Sequence, residues 1–400
     1  MTGALPIASR EQGAALADAM SRASFAEAST LFEALAASRR IPPKMAAAFG
    51  DFAAYWDEAE AAERAHALAF AARPTPESLL ARALSRLRLG AWRDGWIDME
   101  SRLEARRLVP VQALRGRDSG RTVERWRVGQ DPPRELVVFT EQGLGDTLQF
   151  SRFLPDLIRR GVGVTVIGAA ALEPVIASLH PAPRFHVLGE ALFTRAERWC
   201  GLMSLPALLG FDREADLVRP PYLFQDLVAA EDGRGRTGPV RVGLCWQGNP
   251  NHPNDLRRSA PLQALAPLLD DPRIEPVSLQ IGQGARQLWD APAGRRFSTP
   301  LADGASLTDT ARVIGGLDLI VSVDTAVAHL AGAMGRRTVL LLASEGVDWR
   351  WKRGGGKTPW YGAMTVVQQT VGGDWRGPAA EALAIAATLS RRAPSSLTTA

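Results

Sequence analysis

Two doubly wound α/β units behind an α-helical region are the architecture expected of this 400-residue chain. Residues 1 to about 110 are rich in Ala, Leu, Glu and Arg, with apolar residues at helical spacing. From Glu135 the pattern changes to short apolar runs alternating with helical ones, which argues for a parallel sheet covered on both faces. A Gly- and Arg-rich break at Glu231 to Gly238 then interrupts the alternation, which restarts at Val240. The expected regions are therefore helical over 1–115, α/β over 133–230, and α/β again over 238–390.

Bulk composition fits that plan and excludes several classes. With 46% apolar residues the chain can bury real cores, and its length suits two or three domains. Net charge is +4, and Lys44, Lys352 and Lys357 are the lysines among 47 basic residues. The high pI of 9.5 thus reflects arginine excess. No basic run with interleaved aromatics points to nucleic acid. Cys200 and Cys245 have no partner at metal-ligand spacing and imply no disulfide framework. The N-terminus lacks a charged-then-apolar signal, and no run of about 18 apolar residues exists to span a bilayer. The expected compartment is the cytoplasm, with no integral membrane segment.

Within the helical region, Ser24 to Ser38, Lys44 to Phe70 and Pro76 to Arg107 show helical spacing. In the last piece Leu79, Leu80, Ala83, Leu84 and Leu87 form one stripe. Gly90 breaks it, and Trp92, Trp96, Ile97 and Leu103 form the next. Two helices joined by a short turn are the unit of tetratricopeptide repeats, or a hairpin packed on its neighbour. Residues 111 to 134, ending in Pro132-Pro133, read as a linker.

In the first α/β unit the pattern predicts strands over Leu136 to Phe139, Val162 to Ile167 and Phe185 to Leu188. Helices are expected over Thr147 to Arg160 and Ala170 to Leu179. In the second, strands are expected over Val240 to Trp246, Glu275 to Leu279, Leu317 to Val323 and Thr338 to Leu342. Helices are expected near Pro261 to Leu269, over Leu307 to Ile314, and from Ala326. A cleft between two such units is the natural ligand site.

Four stretches carry candidate chemistry. Asp324 and Thr325 sit where a helix N-cap belongs, straight after a buried strand. The free N–H groups and positive dipole end of that helix suit a diphosphate, or the pair is an ordinary cap. Thr140 to Gln149 follows the first strand of the first unit. There Gly143 and Gly145 allow a tight turn and close approach by a ligand, and Asp146 suits an N-cap or a general base. It is no dinucleotide fingerprint, since the third glycine is missing.

Trp246 to Pro250 opens a polar loop in which Gly248 and Asn249 favour exposed N–H groups. Arg257 or Arg258, with Ser259, supply donors for phosphate oxygens, or a solvated charged loop. Trp349, Trp351, Trp360 and Tyr361 flank a flexible Gly354 to Thr358 and suit either stacking on a base or sugar, or a cover over the core. Gly356-Lys357-Thr358 is not a P-loop: Trp351 occupies the leading glycine position and no helix-length pattern follows. There is also no Gly-x-Ser-x-Gly elbow, His-Glu-x-x-His motif or Asp-x-Asp pair.

Over about residues 77 to 370 the chain resembles tetratricopeptide-repeat glycosyltransferases. Their catalytic part is similar to the heptosyltransferase family (glycosyltransferase family 9), of the two-Rossmann GT-B fold. Trp92 to Trp96, Glu141 to Phe150, Met203 to Pro206, Trp246 to Pro250 and Arg257 to Ser259 carry the likeness. Ser322 to Ala333, Asp348 to Trp351 and Pro359 to Tyr361 complete it.

That resemblance implies inverting, metal-independent transfer from a nucleotide-diphosphate sugar, with no cofactor beyond the donor substrate. It maps the general base onto Asp146 in the Gly145-Asp146 turn. Donor contacts fall on Gly143, Gly145, Gly248, Asn249, Arg257, Arg258, Gln280, Asp324, Thr325, Ala326 and His329. The acceptor would be a protein, engaged through the helical region, or a cell-envelope glycan. The chain departs from the family in a short repeat array and a glycine-rich segment before Trp360. A nucleotide-sugar epimerase or hydrolase and a non-catalytic scaffold are the competing readings; fold likeness alone does not decide among them.

Overall fold

A computed structural model of the chain describes residues 7–39, 41–106, 114–116, 122–189, 192–229, 238–289 and 297–389. The break expected at Glu231 to Gly238 lies outside these except for Gly238, as do Arg107 and residues 111–113 and 117–121 of the expected linker. The chain divides into two compact units. One comprises Met1–Val109, Pro206–Asp216 and Glu345–Lys352; the other comprises Pro110–Leu205, Leu217–Ser344 and Arg353–Ala400.

The first unit carries α1 (Ile7–Ser21), α2 (Phe25–Ala37), α3 (Pro43–Tyr55), α4 (Ala59–Ala72), α5 (Pro76–Leu89), α6 (Trp92–Met99) and α7 (Arg102–Ala105). Its core gathers Leu16, Phe32, Leu35 and Phe49, with the Phe32 and Phe49 rings stacked 4.1 Å apart. The stretch of helical spacing from Lys44 to Phe70 is divided between two helices, α3 and α4. Asp57, left-handed at φ 61°, turns the chain between them and pairs with Arg88. No glycine or proline marks that turn, so helical periodicity ran straight through it.

α5 starts on Thr75, whose hydroxyl accepts from Ser78 N at 3.1 Å, and ends at left-handed Gly90. The buried stripe after it is Trp92, Trp96, Met99 and Leu103; Ile97 is exposed, contrary to expectation. Gly95 lies so close to α5 that a Cβ would come 2.8 Å from Leu87 side-chain carbons. Two other chain segments belong to this unit. Trp349 stacks edge-on to Trp96 with centroids 5.6 Å apart, and Arg88 donates to the carbonyls of Val347 and Asp348.

The second unit opens with β1 (Leu114–Gly116), β2 (Glu124–Arg125), β3 (Glu135–Phe139), α8 (Leu144–Phe150), α9 (Leu154–Arg159) and β4 (Gly163–Gly168). Then follow α10 (Glu173–Ala177), β5 (Arg184–Val187), β6 (Leu192–Thr194) and β7 (Arg198–Gly201); after α11 (Leu205–Leu208), which from Pro206 on belongs to the first unit, comes α12 (Gln225–Ala229). β1 pairs with β6, and the other strands form an all-parallel sheet in the order β2-β7-β3-β4-β5. β1 and β2 therefore lie inside the stretch expected to be linker. The expected helix from Thr147 starts earlier, at Leu144, and a 3-10 turn at Ser151–Phe153 separates α8 from α9. Pro155, without an N–H, sits in the first turn of α9.

The remaining elements are β8 (Val240–Cys245), α13 (Asp255–Arg258), α14 (Ala266–Leu269), β9 (Ile274–Ser278), α15 (Leu307–Gly315) and β10 (Leu319–Val323). α16 (Ala326–Ala333), β11 (Thr338–Leu342), β12 (Gly356–Lys357), β13 (Met364–Gln368) and α17 (Arg376–Ala387) complete the chain order. Their sheet runs β12-β13-β11-β10-β8-β9, antiparallel at the β12–β13 pair and parallel elsewhere. β8, β10 and β11 are buried almost end to end, as strands covered on both faces must be. No described helix is long and apolar enough to cross a membrane.

Candidate functional site

Strand order locates the site before any side chain is considered. In the second sheet the chain steps from β8 outward to β9, then returns to the other side of β8 as β10. The order reverses between β8 and β10, and ligands of open parallel sheets bind at the carboxyl ends of such a pair. Gly248 lies just beyond β8, and Asp324 and Thr325 just beyond β10. In the first sheet the reversal falls between β3 and β7, and Glu141, past β3, accepts from Met203 N, past β7, at 3.0 Å.

At the second reversal the candidate residues converge. Arg258 donates to the Asp324 carbonyl at 3.0 Å and to Asp255 at 3.3 Å. A Cβ on Gly248 would come 2.4 Å from the Arg258 guanidinium, so this position tolerates only glycine without moving the arginine. Ser259 accepts from Gly248 N at 3.1 Å. Thr325 is the N-cap of α16, yet its hydroxyl makes no capping bond. It lies 3.0 Å from Ser322 Oγ and 3.7 Å from Cys245 Sγ instead. α16 therefore begins at half-buried Ala326 without a side-chain cap, its dipole directed at this corner. Burial pushes the Cys245 thiol up from its ordinary range, which keeps it protonated and inert.

Gln280 is buried just past β9, against the loop that follows β8. Its Oε1 accepts from Trp246 N at 3.0 Å and Gln247 N at 2.9 Å, and its Nε2 donates to Gln247 O at 3.1 Å. It thus holds the loop after β8 from beneath. Asn249 and Arg257 are exposed on that loop, and the Asn249 side-chain Oδ1 accepts from Asn251 N at 3.0 Å.

In the first lobe, Asp146 occupies the third position of α8 and accepts from Gly143 N at 2.9 Å. The carboxylate thus caps the helix, one of the two roles its position suggested, and the bond fixes its rotamer. The tight turn expected of the two glycines falls on Gln142, left-handed at φ 62°. Gly145 lies within α8 and serves a close approach of another kind. A Cβ there would come 2.8 Å from Cδ2 of His329, on α16. α8 and α16 are thus in contact, and the Gly145-Asp146 turn lies against the Asp324 to His329 run.

His329 is buried, with Nδ1 2.8 Å from the Tyr361 hydroxyl and Nε2 3.8 Å from Asp324. Arg152, a buried residue without any sequence signal, bridges the two lobes. It donates to Gln149 O at 2.7 Å, Trp360 O at 2.6 Å, Leu217 O at 3.3 Å and Tyr222 Oη at 3.2 Å. Its guanidinium also lies 4.7 Å from the Tyr361 ring centre. Trp351, Trp360 and Tyr361 are nearly fully buried and Trp349 packs on Trp96. The aromatics are therefore a cover over the cores, not a surface for stacking a base. Gly356 and Lys357 form an edge strand, which agrees with the rejection of a P-loop.

Residues 285–347, from just past β9 to just past β11, match Glycosyltransferase family 9 (heptosyltransferase). That segment is of glycosyltransferase type. Over 319 residues the chain is 27% identical to Protein FlbA of Caulobacter vibrioides, covering 72% of this chain and 52% of that protein. It thus spans about half the length of the curated relative it matches. Among solved structures it is similar to E. coli ADP-heptose LPS heptosyltransferase II, at 14% identity over 64% of this chain and 99% of that one, TM-score 0.45. It is also similar to the family 9 glycosyl transferase from Veillonella parvula, at 12% identity over 65% and 98%, TM-score 0.43.

Proposed function

We propose that the chain moves a sugar, with inversion and without a metal, from a nucleotide-diphosphate donor to a hydroxyl of a protein or cell-envelope glycan. The observation that carries this is the contact of Gly145 with His329, which sets an acidic helix start beside an uncapped one. In the proposed step Asp146 takes the acceptor's proton as its oxygen forms the new bond at the anomeric carbon. The bond from that carbon to the diphosphate breaks, and its electron pair leaves on the phosphate oxygen. The α16 N–H groups, His329 and Arg258 meet the charge that develops there. Stacked helices of the first unit, read as tetratricopeptide-like, offer a surface for a protein acceptor, and the enzyme would work in the cytoplasm.

Asp146→Asn keeps an acceptor for Gly143 N–H but removes the base. Transfer should fall by roughly 100-fold or more, while calorimetry finds nucleoside diphosphate binding as in the parent chain. Transfer at the parental rate would remove Asp146 from the base role.

A further inference from the structure

Asp255, the first residue of α13, is a buried carboxylate at the edge of the candidate donor site. A carboxylate withdrawn from water costs stability unless a positive partner offsets it. The partner here is Arg258, one turn on, whose Nε lies 3.3 Å from Asp255 Oδ1. The N-cap position of α13 belongs to Asn254, so capping does not account for the buried carboxylate.

The Arg258 guanidinium is fixed from three sides. Besides Asp255 at Nε, the Asp324 carbonyl accepts from Nη1 at 3.0 Å. Nη2 faces Gly248, where a Cβ would come 2.4 Å from it and 2.7 Å from Asp255 Oδ1. The missing side chain at Gly248 therefore makes room for the whole pair. Ser259 closes the arrangement: its N–H donates to the Asp255 carbonyl at 3.0 Å, and its hydroxyl accepts from Gly248 N at 3.1 Å. The Arg258 side chain is 22% exposed against 5% for Asp255, so the anion is sealed in while the cation stays reachable from solvent. A ligand that meets a loose arginine must order it on binding, whereas one already held spares that entropy. We propose that Asp255 is a positioning residue for donor binding: through Oδ1 it holds the Arg258 guanidinium beside the start of α16, so that the diphosphate meets a cation already in place. This rests on the reading of Arg258 and the α16 start as the donor-diphosphate site. Asp255 itself touches no substrate in this scheme.

The test is calorimetry on the full chain with the tightest binder among ADP, GDP, UDP and CDP. Asp255→Ala should raise its Kd by about three- to tenfold. Asp255→Leu, which refills the space without an acceptor, should do the same, and circular dichroism melting shows whether each variant is folded. Asp255→Asn keeps an acceptor for Nε and should bring the Kd back to within about twofold of the parent's. A role in loop shape alone would not follow that order, nor the following coupling. In an Arg258→Met background, itself weakened, Asp255→Ala should change the Kd no further, because its partner is already gone. A parental Kd in a folded Ala or Leu variant overturns the inference. An Asn variant as weak as the Ala one overturns it too, as do losses that multiply in the double variant. Parent chain that binds none of the four nucleotides, or Arg258→Met that binds as the parent does, overturns the donor-site reading itself. Both of those outcomes are seen without any Asp255 variant.

Discussion

At Gly145 a single methyl group would press directly on the candidate site. A Cβ there would reach within 2.8 Å of His329 Cδ2 and 3.3 Å of its Nε2. The imidazole cannot simply retreat, because Tyr361 holds its far side. Gly145→Ala should therefore weaken nucleoside diphosphate binding several-fold and cost about 1–3 kcal/mol of stability, as overpacking does. Calorimetry and urea unfolding would check both, and an unchanged Kd would show that the ring can shift without loss. Asp324, Thr325, Gly248 and Arg258 were legible as a group from sequence because turn and cap chemistry is local. Arg152, Tyr222 and the burial of Tyr361 were not, since each depends on partners far along the chain. Gln280 was named only through the family resemblance, and its clamp on Trp246 and Gln247 appears only in three dimensions.

At the scale of elements, helices and strands with strong local signals were read nearly as they stand. β3, β10, β11 and α16 differ from expectation by two residues or fewer at each end. β7, β13 and α17 had no reading of their own, and α1 was expected only as part of a helical region over 1–115. β7 is four residues, Arg198–Gly201, with no alternation; it is a strand because β3 and β2 pair with it on either side. The α3–α4 break was hidden by Asp57, a left-handed residue outside the usual glycine set. α5 shows the reverse, a local rule that holds fully. Thr75 caps it and Pro76 opens it. Thr75→Ala should cost about 1 kcal/mol by removing the acceptor for Ser78 N–H. A chemical denaturation midpoint unmoved by that change would mean the first turn of α5 adds nothing to the stability of its unit.

For the molecule as a whole, Arg152 ties together the two lobes of the α/β unit. It reaches carbonyls on the first lobe and, through Trp360, on the second. Arg152→Met fills much of the same volume but leaves three buried carbonyls without their donor. The expected loss is about 3 kcal/mol, read as a lower urea midpoint for the α/β unit. A midpoint equal to the parent's would show that apolar packing, not this guanidinium, joins the lobes.

The helical unit is not a beads-on-a-string module, because its polypeptide arrives in three separate passes. Cutting the gene at residue 110 would strip Trp349 of Trp96 and leave the Val347 and Asp348 carbonyls without the Arg88 guanidinium. A shortened chain beginning there should come out of cells as aggregate, whereas one cut before α2 keeps those partners and should stay in solution. Soluble, monodisperse protein from the shorter gene would show the helices to be dispensable, and evolution would then be free to exchange them. Otherwise the helical region and the loop bearing Asp348 to Trp351 must be inherited together.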